Sequence, residues 1–138
     1  MALASDAWTK LHQIFASKRR HFMDVAGEIG LTPGDMHALL SLVPGDPQPM
    51  RVLAEGWRCD ASNVTWQVDR LEERGFTKRE VSPNDRRVKT VVLTKAGEHA
   101  QNRIKAKIYA PPAELLELND DVLEDLVRIL GKVRLTGE

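Results

Sequence analysis

The sequence predicts a mainly α-helical chain with one small β-hairpin. Three observations predict it. Apolar residues recur at three- and four-residue intervals along most of the 138 residues. Turn-forming clusters, Thr32-Pro33-Gly34, Pro44-Gly45-Asp46-Pro47 and Pro111-Pro112, separate those periodic runs. Two short β-prone stretches, "GFTKREV" (Gly75–Val81) and "VKTVVL" (Val88–Leu93), flank one turn, Ser82–Arg87.

The first helix is expected from about Asp6 to Gly30. Trp8, Leu11, Phe15, Phe22, Val25 and Ile29 share one face, with Lys18 in the slot that breaks the series. Ile14, Met23 and Ala26 form a second apolar face, more than a peripheral helix needs. The next helix starts at Thr32: its hydroxyl can cap, Pro33 suits the first helical position, and Asp35 complements the positive end of the dipole. It runs through Met36, Leu39, Leu40 and Val43. A short helix near Met50–Gly56 turns Val52 and Leu53 inward, and Gly56-Trp57-Arg58-Cys59 reads as a turn. Asp60 or Ser62 then caps a helix to Arg74, with Val64, Val68 and Leu71 facing the core and Gly75 closing it. The hairpin follows. Thr94 caps a helix to about Tyr109, and a last helix, capped near Asn119, carries Val122, Leu123, Leu126, Val127, Ile129, Leu130 and Val133.

Helix, helix, turn, helix, hairpin is the winged helix-turn-helix order. The expected organisation is therefore a winged helix-turn-helix DNA-binding domain at 31–94, plus a helical dimerisation region at 1–30 and 95–138. A winged domain of ~60–70 residues has its own core. The surplus apolar surface on the terminal helices is expected to pack together and against a second copy of the chain.

Charge is polarised although its sum is zero. Nine bases stand against seven acids between Arg51 and Thr90, while seven acids face three bases from Pro111 to Glu138. A neutral protein polarised in this way can carry a local nucleic-acid footprint. The N-terminus lacks the pattern of a secretory signal, and no apolar run approaches transmembrane length. A lone cysteine, Cys59, fits a reducing compartment. The expected location is the cytoplasm, with no membrane partner.

On the helix ending at Arg74, the face away from Val64, Val68 and Leu71 carries Ser62, Asn63, Thr65, Trp66, Gln67 and Arg70. Asn and Gln match adenine in the major groove, Arg matches guanine, and Ser or Thr serves either. Asp69, Glu72 and Glu73 would repel phosphate, so they are expected to face solvent or to pair with Arg70 and Arg74. In the turn, Arg86 and Arg87, followed by Lys89, suit a narrow minor groove or flanking phosphates. Asp85 is expected to fix the turn by bonding backbone N–H groups.

The stretch "NVTWQVDRLEERGFTKREVSPNDRRVKTVVLTKAGE" resembles the recognition helix and wing of MarR-type regulators. The matching pieces are Val64-Thr65, Val68-Asp69-Arg70-Leu71-Glu72, Gly75, Asp85-Arg86-Arg87, and Leu93-Thr94 with Gly97. The resemblance implies a homodimeric regulator, usually a repressor, on a pseudo-palindromic operator and often released by a small effector. It also implies that Arg87 enters the minor groove and that Asp85 steadies the wing. Two positions depart from the family pattern: Trp66 stands where a base is frequent, and Gln67 where an aliphatic residue is frequent. The Trp66 indole is expected to stack on a sugar or pack into the core rather than to read a base.

Family members often bind aromatic acids or similar anions between the two regions. The residues here that could hold a small aromatic or anionic effector are His12, Phe15, Arg19, Met36, His37 and Leu40. In the family's peroxide-sensing branch the reactive cysteine lies near the start of the first helix, so that role does not carry over to Cys59. His12, His21, His37 and His99 lack metal-ligand spacing, and no phosphate loop, nucleophile elbow or paired-acid pattern occurs. No cofactor, metal or enzymatic activity is expected. The alternative to a DNA-binding regulator is a winged module that binds protein, which would place apolar groups where the wing carries its arginine pair.

Overall fold

The computed structural model describes residues 1–134. Residues 135–138, the end of the 95–138 region including Glu138, lie outside the described residues. In chain order the elements are α1 (Ala2–Ile29), α2 (Pro33–Ser41), β1 (Gln48–Pro49), α3 (Met50–Trp57), α4 (Ala61–Glu73), β2 (Thr77–Val81), β3 (Lys89–Leu93), α5 (Lys95–Ile108), α6 (Ala113–Leu116) and α7 (Asp120–Leu130). The fold is mainly α with a small antiparallel sheet, as expected of a winged helix. Contacts divide the chain into two compact units, Met1–Ile108 and Tyr109–Glu138.

The first unit holds the core. Val25 and Ala26 of α1, Met36 and Leu39 of α2, Leu53 of α3, Val64, Val68 and Leu71 of α4, Val91 and Leu93 of β3, and Ile104 of α5 pack as one buried cluster. Local chemistry sets the element ends. Thr32 Oγ1 accepts from the Asp35 N–H at 3.1 Å, and Asp35 accepts in return from the Thr32 N–H at 3.4 Å, forming a reciprocal capping box. Asp60, rather than Ser62, caps α4 by accepting from the Asn63 N–H at 2.8 Å. Thr94 Oγ1 accepts from the Gly97 N–H at 3.0 Å at the start of α5.

The sheet has strand order β1-β3-β2. β2 and β3 form the expected hairpin, with Thr77 opposite Leu93 and Val81 opposite Lys89. The third strand was not expected. Gln48 and Pro49 pair with Val91 and Thr90, so β3 becomes the central strand and its last four residues are buried. Two other details differ from expectation. Gly56 is helical, and it is Arg58 that takes the left-handed conformation, φ 52°, ending α3. And α1 begins at Ala2 rather than near Asp6; its fully buried residues are Val25 and Ala26, while Trp8 and Phe15 are exposed.

Long-range polar clips complete the unit. Gln101 of α5, itself buried, donates to the carbonyls of Leu39 (2.6 Å) and Leu42 (2.7 Å) and so satisfies the end of α2. Arg74, just past α4, donates to the carbonyls of Ile29 (2.7 Å) and Gly30 at the end of α1. Gly30 has φ 72°, and a methyl group there would collide with the Arg74 guanidinium at 2.5 Å. The left-handed φ is what favours glycine at this position, since the guanidinium is the far end of a flexible side chain.

In the second unit Pro112 precedes α6, and Asn119 caps α7 by accepting from the Val122 N–H at 3.0 Å. Helix α7 ends at Leu130 with Gly131 as its C-terminal cap, so Val133 lies beyond it. Val122, Val127, Ile129 and Leu130 are exposed on this helix.

Candidate nucleic-acid interface

Burial of Val64, Val68 and Leu71 fixes the rotation of α4, and with it the outward face. Ser62, Asn63, Thr65 and Trp66 are all exposed. The Thr65 hydroxyl donates back to the Ala61 carbonyl at 2.9 Å, within its own helix.

The other two polar residues expected on this face are directed inward. Arg70 donates from Nε and Nη2 to the two Asp35 oxygens at 2.8 and 2.5 Å, the forked geometry that suits a carboxylate. Asp35 is almost wholly buried, its side chain 2% exposed. Burial pushes its carboxyl up, but hydrogen bonds from Arg70 and Thr32 and the Arg70 charge outweigh burial and hold it below the usual carboxylate range. The bond to Asp35 correspondingly raises the Arg70 guanidinium. Gln67 lies against the start of α2, its amide nitrogen 3.4 Å from where a methyl on Gly34 would sit, and its buried Oε1 has no hydrogen-bond partner among the described residues. Both residues therefore join α4 to α2 in the free chain instead of presenting their polar groups outward.

Of the acids expected to face solvent or to pair with Arg70 and Arg74, Glu73 is exposed, while Asp69 and Glu72 pair with a third arginine. Arg79 of β2 takes Asp69 at 2.6 Å and also Glu72, and its backbone N–H donates to Glu72 Oε1 at 2.7 Å. These acids tie the helix to the wing. Only contacts made across the fold could reveal this, because residues 69 and 79 share no helix.

The wing turn is built by its own side chains. The Ser82 N–H donates to the Val88 carbonyl at 2.9 Å, and the Val88 N–H to the Asp85 carbonyl at 3.0 Å. Asp85 Oδ1 accepts from the Arg87 N–H at 2.9 Å and stands 3.8 Å from Arg87 Nε. The Arg87 side chain remains 95% exposed. Arg86 and Lys89 are exposed and make no ion pair among the described residues. Arg86 and Arg87 thus project from a turn pinned by its own hydrogen bonds, and Lys89 is exposed at the start of β3.

The residues considered for an effector are not gathered in one place. Met36 is fully buried, Leu40 half-buried, and His37 exposed on α2. His12, Phe15 and Arg19 lie on the exposed part of α1. Cys59 is half-buried and packs against the core. Among the described residues no helix is long and apolar enough to cross a membrane.

A family model described as the MarR family matches residues 31–89. The chain is 31% identical over 108 residues to the uncharacterized HTH-type transcriptional regulator YcgE of Bacillus subtilis, spanning 78% of this chain and 70% of that protein. It is 29% identical over 137 residues to the HTH-type transcriptional repressor MdtR of the same organism, spanning 99% and 88%. The solved structure of the YusO protein from Bacillus subtilis superposes with a TM-score of 0.78 at 26% identity, covering 95% of this chain and 94% of that one.

Proposed function

The chain belongs to the MarR family of transcriptional regulators, and from that premise we propose that it is a cytoplasmic repressor binding a pseudo-palindromic operator as a homodimer. Arg87 is the observation that carries this reading. Its side chain is almost fully exposed while Asp85 pins its backbone, the arrangement wanted of a group that enters a groove. Ser62, Asn63 and Thr65 lie at the major-groove face, Arg86 and Lys89 meet phosphate, and Gln67 and Arg70 position the helix. Two copies of α4 must stand about one duplex turn apart, near 34–36 Å, to reach successive major grooves.

Release by a small aromatic or anionic effector follows the same geometry. A ligand that binds better to a dimer with another spacing lowers operator affinity by that difference. His12, Phe15, Arg19 and His37 are exposed in the single chain, so the crevice we propose for it is completed by the second subunit.

The test is binding to a duplex selected from random DNA by the purified protein. Arg87→Ala is expected to weaken binding by about 1–3 kcal/mol, and Asn63→Ala to relax the preference at one base pair in each half-site. Equal affinity of the Arg87→Ala protein at fixed salt would remove the wing from the interface.

A further inference from the structure

We infer that Trp66 sets the base preference of this regulator by packing its indole against the C5-methyl group of a thymine in the major groove. The inference rests on α4 being the DNA-facing helix, and it replaces the sequence expectation of sugar stacking or core packing, the latter ruled out by the exposure of the ring.

Trp66 is 69% exposed, and it is the largest apolar side chain exposed between residues 31 and 94. It sits three residues after Asn63 and four after Ser62, hence on the same outward face. The ring is braced. The Arg70 guanidinium lies 5.9 Å from its centroid, and Arg70 is itself held at two points by Asp35. A braced side chain loses little freedom when it docks. Thr65 bonds its own helix and Gln67 and Arg70 are turned toward α2, so beside Ser62 and Asn63 the indole is the main group left on this face to meet a base pair of its own.

Chemistry then selects the base. An indole has one donor, no acceptor, and otherwise carbon. The thymine methyl is the apolar feature of the major-groove edge, whereas a G·C pair there offers only polar groups. An indole laid on a G·C pair would desolvate several of them and could pair with one. Against thymine it buries carbon on carbon.

The experiment uses the full chain and the duplex it selects from random DNA, with deoxyuridine placed at each thymine in turn. At one thymine per half-site, loss of the methyl is expected to weaken wild-type binding about fourfold, the effect of one buried methylene-sized group. Trp66→Ala should bind the thymine duplex more weakly and be indifferent to the uracil change at that position, with Trp66→Phe intermediate. Because Trp66 is exposed, the variants should melt with the wild type. Selection of a sequence by the wild type, combined with a uracil effect that is absent everywhere or equal in wild type and Trp66→Ala, overturns the inference and leaves the DNA-binding reading standing. Selection of no sequence removes both.

Discussion

Asp35 does two jobs at once, capping α2 and anchoring α4 through Arg70. Its folded-state carboxyl titrates below the ordinary value of 3.8, so the ionised form is favoured by folding. That contribution is complete above the ordinary value and is lost as pH falls through the lowered one. Melting temperatures of wild type and Asp35→Asn should therefore keep a constant gap from about pH 6 to about pH 5 and converge only as pH falls below about 4. Arg70→Ala strands a buried carboxylate. Its cost at neutral pH should be about 2–3 kcal/mol, below that of a fully buried pair because the Arg70 side chain is 37% exposed. Thr32, Asp35 and Asp60 were legible as helix starts because a cap acts over three residues. The destination of Arg70 and Gln67 was not, because their neighbours are about thirty-five residues away in sequence. Spacing along α4 shows which side chains avoid the core, but not which of them reach another helix.

At the scale of elements, α4 is fastened over its C-terminal half. Arg70 ties it to α2, Arg74 to the end of α1, and Asp69 and Glu72 to the wing through Arg79. On the proposed reading, helix and wing meet DNA as one body. Arg79→Ala should weaken operator binding while leaving the salt dependence of binding unchanged, since Arg79 faces its two acids and not phosphate. A steep loss of salt slope on titration with potassium chloride would reassign it to the interface. The start of α5 is packed as closely. A methyl at Gly97 would stand 2.0 Å from the Phe76 carbonyl oxygen, so Gly97→Ala should cost about 3 kcal/mol or more in urea unfolding. The hairpin could be read from its flanking β-prone runs. Strand β1 could not, since two residues, one of them proline, carry no periodicity and pair only because the fold brings them to Val91 and Thr90.

Across the whole molecule the unexplained surface is helical. Trp8 is 64% and Phe15 68% exposed on α1, and α7 leaves Val122, Val127, Ile129 and Leu130 uncovered. The sequence pattern put these residues on helix faces correctly. It could not say whether the chain itself or a second copy covers them, because periodicity reports a face and not its partner. We expect sedimentation at micromolar concentration to give a dimer and Phe15→Glu to shift it toward monomer with a parallel loss of operator binding. A wild-type monomer would sink the two-half-site reading. Zero net charge does not oppose DNA binding, because Arg86, Arg87 and Lys89 are all exposed on the wing and two acids of α4, Asp69 and Glu72, are paired with Arg79.

The unforeseen two-residue strand also bears on solubility. With β3 paired on both sides, the sheet ends in two edges. One is two residues long and contains Pro49, and the other presents Lys78, Arg79 and Glu80 in succession. Short, proline-bearing or charged edges recruit further strands poorly. Edge-to-edge stacking and fibre growth through the wing are therefore disfavoured, and the reading head stays free of its own copies.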